Sequence, residues 1–184
     1  MVEFPILYQT IEDRCNADKV EEHGPYKSQK SHWLGCGYYF WDRNYERAEW
    51  WGKERYKKNG YMICQANAKC NDIQFFDLFD NPDHKKIFKE TYESLKRKYD
   101  QKNPQYKDIT VNYIIHYLQT TKNFPFKIIR AESENCGEDI RIPFSSQYRS
   151  FLNLNKAIQI CIFDKSLIYD YRVIYPQEYA EPIG

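Results

Sequence analysis

The sequence contains no apolar run approaching the roughly 20 residues needed to cross a bilayer. Met1 to Thr10 also lacks the basic, apolar and small-residue zones of a secretory leader. Both absences predict a cytoplasmic protein with no membrane partner. Charge of one sign is missing as well. Lys and Arg number 27 against 26 Asp and Glu, a net charge of +1, so no global field commits the chain to nucleic acid or an anionic surface. The cysteines Cys15, Cys36, Cys64, Cys70, Cys136 and Cys161 form no Cys-x-x-Cys pair, and free thiols are expected instead of disulfides. His23, His32 and Cys36 lie close in sequence, but the short paired spacing of structural zinc and a fourth ligand are lacking; no metal is expected. Internal repeats, low-complexity tracts and regular βαβ alternation are absent too, which predicts an α+β fold over a single domain, 1–184.

Aromatic residues are abundant, at 17% of the chain, with 17 tyrosines. The densest stretch is Gly35-Cys36-Gly37-Tyr38-Tyr39-Phe40-Trp41-Asp42, followed by Asn44-Tyr45-Glu46-Arg47-Ala48-Glu49-Trp50-Trp51. Glycines allow a sharp turn or a close approach of the backbone, and the aromatic run that follows favours a strand. Asp42 or Asn44 can then cap a helix carrying Ala48, Trp50 and Trp51. A turn of this kind can present flat ring faces beside open amides, as a planar ring bearing a carboxamide requires. The same aromatics also serve as ordinary core.

Elsewhere the chain alternates strands and helices irregularly. Phe4 to Thr10 reads as a first strand ending on Gln9 and Thr10, and Gln9 offers a donor and an acceptor to a ribose or to water. Ile11 to Leu34 reads as a long polar connection, long enough for a lid or binding loop. A helix from about Asn44 to Lys58 stops at Asn59-Gly60. Tyr61 to Ala66 has strand character, and Phe75 to Phe79 is a short apolar run. Asn81-Pro82-Asp83 marks a helix start. The helix that follows buries Phe88, Tyr92, Leu95 and Tyr99 and turns a basic face, including Lys85 and Lys89, outward, either to solvent or to phosphates. Thr110 caps another helix with Val111, Ile114, Ile115 and Leu118 on its apolar stripe and His116 off it. Phe126 to Arg130 is a strand, Glu132 to Gln147 mostly loop, and two late strands run from Ile158 to Phe163 and from Leu167 to Ile174. Gln159 is an amide in an apolar strand: it faces a cleft, or lies on the exposed face of an edge strand.

In this order the segments resemble the ADP-ribosyltransferase fold of the diphtheria-toxin and poly(ADP-ribose) polymerase branch, whose pattern is a His, a Tyr and a Glu spread along the chain. Gly35 to Asp42 is similar to that family's Gly-Lys-Gly-Ile-Tyr-Phe-Ala-Asp segment, with Ala48 and Trp50 at the spacing of its helix Ala and second stacking aromatic. Leu7-Tyr8-Gln9-Thr10 stands where the family has an apolar residue, an aromatic, His and Gly. Ile158 to Asp164 stands at the strand carrying its Glu. The resemblance implies split antiparallel sheets around an NAD cleft, with a helical insert at about 80–121.

It further implies that Tyr39 and Trp50 sandwich the nicotinamide, that Gly37 and Ala48 line the same donor site, and that the backbone at Thr10 takes the carboxamide. Gln9 would replace the ribose-binding His, and Gln159 the Glu that binds the nicotinamide-ribose hydroxyls. Arg149 and Ser146, in the loop before Gln159, would face the acceptor. The activity so implied is mono-ADP-ribosyl transfer from NAD to a macromolecular acceptor, protein or nucleic acid, by a bacterial or phage toxin or defence effector with a neutralising partner. Hydrolysis of NAD, or binding of a nucleotide or partner without catalysis, are the alternatives. Binding of nucleic acid through the basic helix is a weaker one.

Overall fold

In a computed structural model, which describes residues 1–28, 32–100, 109–121, 124–133, 141–143 and 151–180, one mixed sheet organises the chain. Its strands are β1 (Val2–Glu12), β2 (Tyr38–Asp42), β3 (Tyr61–Cys70), β4 (Phe75–Asp77), β5 (Ile128–Glu132), β8 (Ile158–Ile162) and β9 (Ile168–Tyr175). They lie in the order β4-β5-β8-β2-β1-β3-β9. Only β4 and β5 run parallel; every other neighbouring pair is antiparallel. Two further strands, β6 (Arg141–Pro143) and β7 (Phe151–Asn153), form a separate hairpin. The fold is thus α+β, with an edge pair that departs from the antiparallel expectation.

Strand alternation distributes the side chains to two faces. On one face Phe4, Leu7, Phe40, Ile128, Ile160 and Ile162 pack into a cluster continued by Val20, Met62, Cys64 and Val173. The opposite face holds two clusters. Phe76, Ile129, Ala131 and Cys161 pack with the helices α3 (Pro82–Asp100) and α4 (Val111–Thr121), while Trp41, Ile63 and Ala157 pack with α2 (Tyr45–Arg55). The helical insert is therefore a cover for the β4-β5 end of the sheet.

Local signals place the helix starts. Asn44 accepts from the Arg47 amide, and Asn81 from those of Asp83 and His84. Thr110 Oγ1 accepts from the Tyr113 amide at 3.2 Å. Past α2 the chain turns through Gly60 at φ +76, a region glycine enters without cost.

The connection from Ile11 to Leu34 is more ordered than expected. β1 continues to Glu12 because its pairing with β3 continues to Glu12 and Tyr61. A short helix, α1 (Ala17–His23), then docks through Val20, its only buried residue; one apolar anchor leaves no periodicity to read. The β6-β7 hairpin was likewise expected as loop, and all of β6 is exposed, so no alternation marks it. β8 lies between β5 and β2, which removes the edge-strand alternative for Gln159.

β1 carries a bulge. Phe4 pairs with Ala68 and Leu7 with Ala66, so Pro5 and Ile6 together oppose Asn67, and Ile6 takes φ 60. The Asn67 side chain accepts from the Ile6 amide at 3.1 Å and donates to Asp170. A second shift in the β3-β9 pairing falls beside it, between Gln65 and Asn67.

Candidate functional site

The three segments that carry the resemblance fall on adjacent strands, β8, β2 and β1. Across β8 and its neighbours, Gln159 lies opposite Trp41 and Ala131. Trp41 belongs to the cluster under α2 and Ala131 to the cluster under α3 and α4, so Gln159 marks the seam between the two. It is half-buried there, and its Oε1 accepts from the Trp33 indole at 2.7 Å. Among the described residues its Nε2 has no hydrogen-bond partner.

Gln9 is placed differently from the ribose-binding expectation. Its Nε2 donates to the carbonyls of Tyr26 at 3.0 Å and Tyr39 at 3.4 Å. Its Oε1 accepts from the Tyr26 amide at 3.0 Å and the Tyr171 hydroxyl at 2.9 Å. The buried amide is saturated. β1 and β2 pair only at Leu7–Asp42 and Tyr8–Trp41, and beyond this short pairing Gln9 links the two strands to the incoming Tyr26 segment. It is a cross-link of the fold, and the strand-end solvation that was its alternative is excluded by burial.

Thr10 is buried, faces Ile63 across β3 and donates through Oγ1 to the carbonyl of Ala48 at 2.7 Å. This bond, with the full burial of Ala48 against Trp41 and Ile63, seats α2 on the sheet. A second clamp holds the other side of α2. Arg47, 2% exposed, donates from Nη2 to the Asn155 carbonyl, and Asn44 donates to the Asn155 side chain at 2.6 Å. Neither Trp33 nor this clamp was legible beforehand: an Arg within a helix reads as solvated, and a lone Trp as core.

Tyr39 and Trp50 lie on the same side of the sheet in different clusters. The Tyr39 hydroxyl donates to the Gly35 carbonyl at 2.8 Å and accepts from the Leu34 amide at 3.0 Å, so the phenol closes the glycine turn. Its ring meets His32 edge-on at 5.2 Å, whereas Trp50 has Trp51 as its ring neighbour at 6.1 Å. Trp41, buried beside Trp50, stands where the resembling family has Ala. Burial raises the Tyr39 phenol above its ordinary range and pushes the Cys161 thiol up to about 12. Neither ionises at neutral pH.

The glycines divide their roles. Gly35 has φ +109 and makes the turn. At Gly37 an added Cβ would lie 2.5 Å from Cys161 Sγ and 2.8 Å from the Ile162 carbonyl, so this residue admits β8, not a ligand. Gly37→Ala is expected to cost about 1–3 kcal/mol through overpacking, read as a lower Tm. Arg149 and Ser146 lie outside the described residues. Among the described residues no group of His, Cys, Asp and Glu could hold a metal, and no helix is long and apolar enough to cross a membrane.

No protein-family model matches the chain, and no solved structure matches it. It is similar to an uncharacterized protein of Methanocaldococcus jannaschii, 24% identical over an alignment 204 positions long that covers 94% of each chain.

Proposed function

We propose that the chain is an ADP-ribosyltransferase-like domain that binds NAD at the seam between α2 and the insert and transfers ADP-ribose to a macromolecular acceptor. The observation that supports this most is the adjacency of β8, β2 and β1. Segments separated by more than 100 residues thereby bring Gln159, Tyr39 and Trp41 to one face of the sheet, Trp41 in the cluster of the helix that bears Trp50 and Tyr39 in the neighbouring one. The seven strands form one continuous sheet, not the split sheets expected, and β1 and β2 pair within it at Leu7–Asp42 and Tyr8–Trp41.

Of the donor-site residues, Trp50 offers a half-buried ring and Gln159 an amide with hydrogen-bonding capacity left. Breaking an N-glycosidic bond builds positive charge on the ribose and calls for orientation and electrostatic stabilisation more than for a strong base. Gln159 would orient a ribose hydroxyl. It supplies no negative charge, which favours slow mono-transfer over elongation. Trp33 and a ribose hydroxyl would compete for the same amide oxygen.

The test uses NAD labelled in its ADP-ribose part, mixed with candidate proteins and nucleic acids. Label on a macromolecule supports transfer, and free ADP-ribose with nicotinamide supports hydrolysis instead. Trp50→Ala should lower nicotinamide release by about two orders of magnitude, while Tyr92→Ala in the insert should leave it unchanged. Gln159→Glu should raise the rate or leave it alone; a collapse would mark a structural amide. Equal effects at Trp50 and Tyr92 would count against the site.

A second reading, a non-catalytic binding module of the same fold, is favoured by the saturated Gln9 amide and the buried Trp41. It predicts that NAD raises the Tm without being consumed.

A further inference from the structure

We propose that the cavity between α3, α4 and the end of β5 binds a small planar aromatic anion; its lining meets the seam at Trp33 and Ala131 but does not include Trp50. The cavity has a volume of about 460 Å³, within the range of small-molecule sites. Its walls include Trp33, Phe88, Tyr92, Val111 and Ile114, and its rim Lys85 and Lys89. Rings and aliphatic side chains on several sides suit a flat apolar body.

The charge at the rim sets the sign of the ligand. Lys85 and Lys89 lie four residues apart, as do Phe88 and Tyr92, and each lysine lies three residues before one of the rings, spacings that share a helix face, so α3 presents aromatic rings and cations together. Lys85 has no carboxylate within ion-pair distance among the described residues, and Lys89 only a long contact of 3.9 Å to the exposed Glu93. The one acid of the lining, Glu132, is met by Lys156 at 3.1 Å. The rim therefore keeps uncompensated positive charge above an apolar floor. Much of the basic face of α3 is ordinary solvated surface, but these two lysines border a cavity.

The experiment is a calorimetric titration of the full chain with 1-naphthyl phosphate, with 1-naphthol and inorganic phosphate as the separated halves of the probe. Saturable binding of the ester is expected, with each half bound at least about tenfold more weakly, a difference of about 1.4 kcal/mol. Lys85→Glu with Lys89→Glu, both at exposed positions, should weaken the ester about tenfold or more without lowering the Tm. Trp50→Ala should leave the affinity unchanged. No saturable binding, or equal affinity in the double variant, overturns the proposal; so does loss on Trp50→Ala, which would put the probe at the seam. Because NAD is not used, failure here and failure of the transferase reading are separate results.

Discussion

Gln9→Leu is expected to destabilise the protein by about 3–5 kcal/mol, seen as a lower denaturant midpoint at unchanged slope. Leu has nearly the right volume and would fill the space. It would also strand the Tyr26 amide and carbonyl, the Tyr39 carbonyl and the Tyr171 hydroxyl, all of which the Gln9 amide satisfies. Each buried polar group left alone costs about 1–3 kcal/mol, less whatever local shifts recover. Recovery is limited because Gln9 is 6% exposed and Tyr171 packs in both clusters on that side of the sheet. A loss below about 1 kcal/mol would mean that water reaches these groups and that the amide is no cross-link.

Arg130→Ala should cost a similar amount, about 3–5 kcal/mol, because it leaves the buried Asp77 carboxylate without its cation and Asp42 with Arg43 alone. Arg130 reaches Asp77 through Nη2 at 2.6 Å and Nε at 3.1 Å, Asp80 at 3.1 Å and Asp42 at 3.6 Å. The Asp77 and Asp42 side chains are 7% and 5% exposed. The guanidinium also lies 5.7 Å from the Phe75 ring centre and 5.5 Å from that of Phe79. The expected damage is therefore concentrated at the β4-β5 edge.

The pH dependence distinguishes a charge effect from lost packing. Burial works to raise the Asp77 carboxyl, but the Arg130 hydrogen bonds and the Asp80 and Phe79 amides outweigh it, and the carboxyl is held below its ordinary range. A lowered native pKa contributes stability that is fully present above the unfolded value, about 4 for Asp. It is lost as pH falls through the native value. The gap between wild type and Arg130→Ala should thus be widest near neutrality and narrow in acid. A gap that does not change from pH 7 to pH 3 would assign the loss to packing.

The elements legible in the sequence were those with a local signature. Asn44, Asn81 and Thr110 announced helix starts because capping needs only neighbouring amides, and each does cap. β2 and β8 were legible as apolar runs. α1 was not, because a helix anchored by Val20 alone shows no period, and neither was β6, which is exposed along its whole length. Candidate-site residues were legible as types but not as roles. Gln9 and Gln159 are both amides in strands; what separates them is long-range pairing with Tyr171 in one case and Trp33 in the other, at sequence separations of 162 and 126. Gly37 looked like an opening for a ligand, yet the groups that approach it are the Cys161 thiol and the Ile162 carbonyl, on a strand about 125 residues further on.

The bulge at Pro5 and Ile6 has a consequence for chain length. Val2 and Phe4 keep their core face with two residues opposite Asn67 there. Deleting either one would leave a single residue opposite Asn67, the spacing of a regular strand, so Phe4 would keep both its pairing with Ala68 and its face. A one-residue loss should therefore be tolerated at this point of the strand, whereas the same loss in its regularly paired part, Leu7 to Glu12, would put every residue on one side of the deletion onto the wrong face.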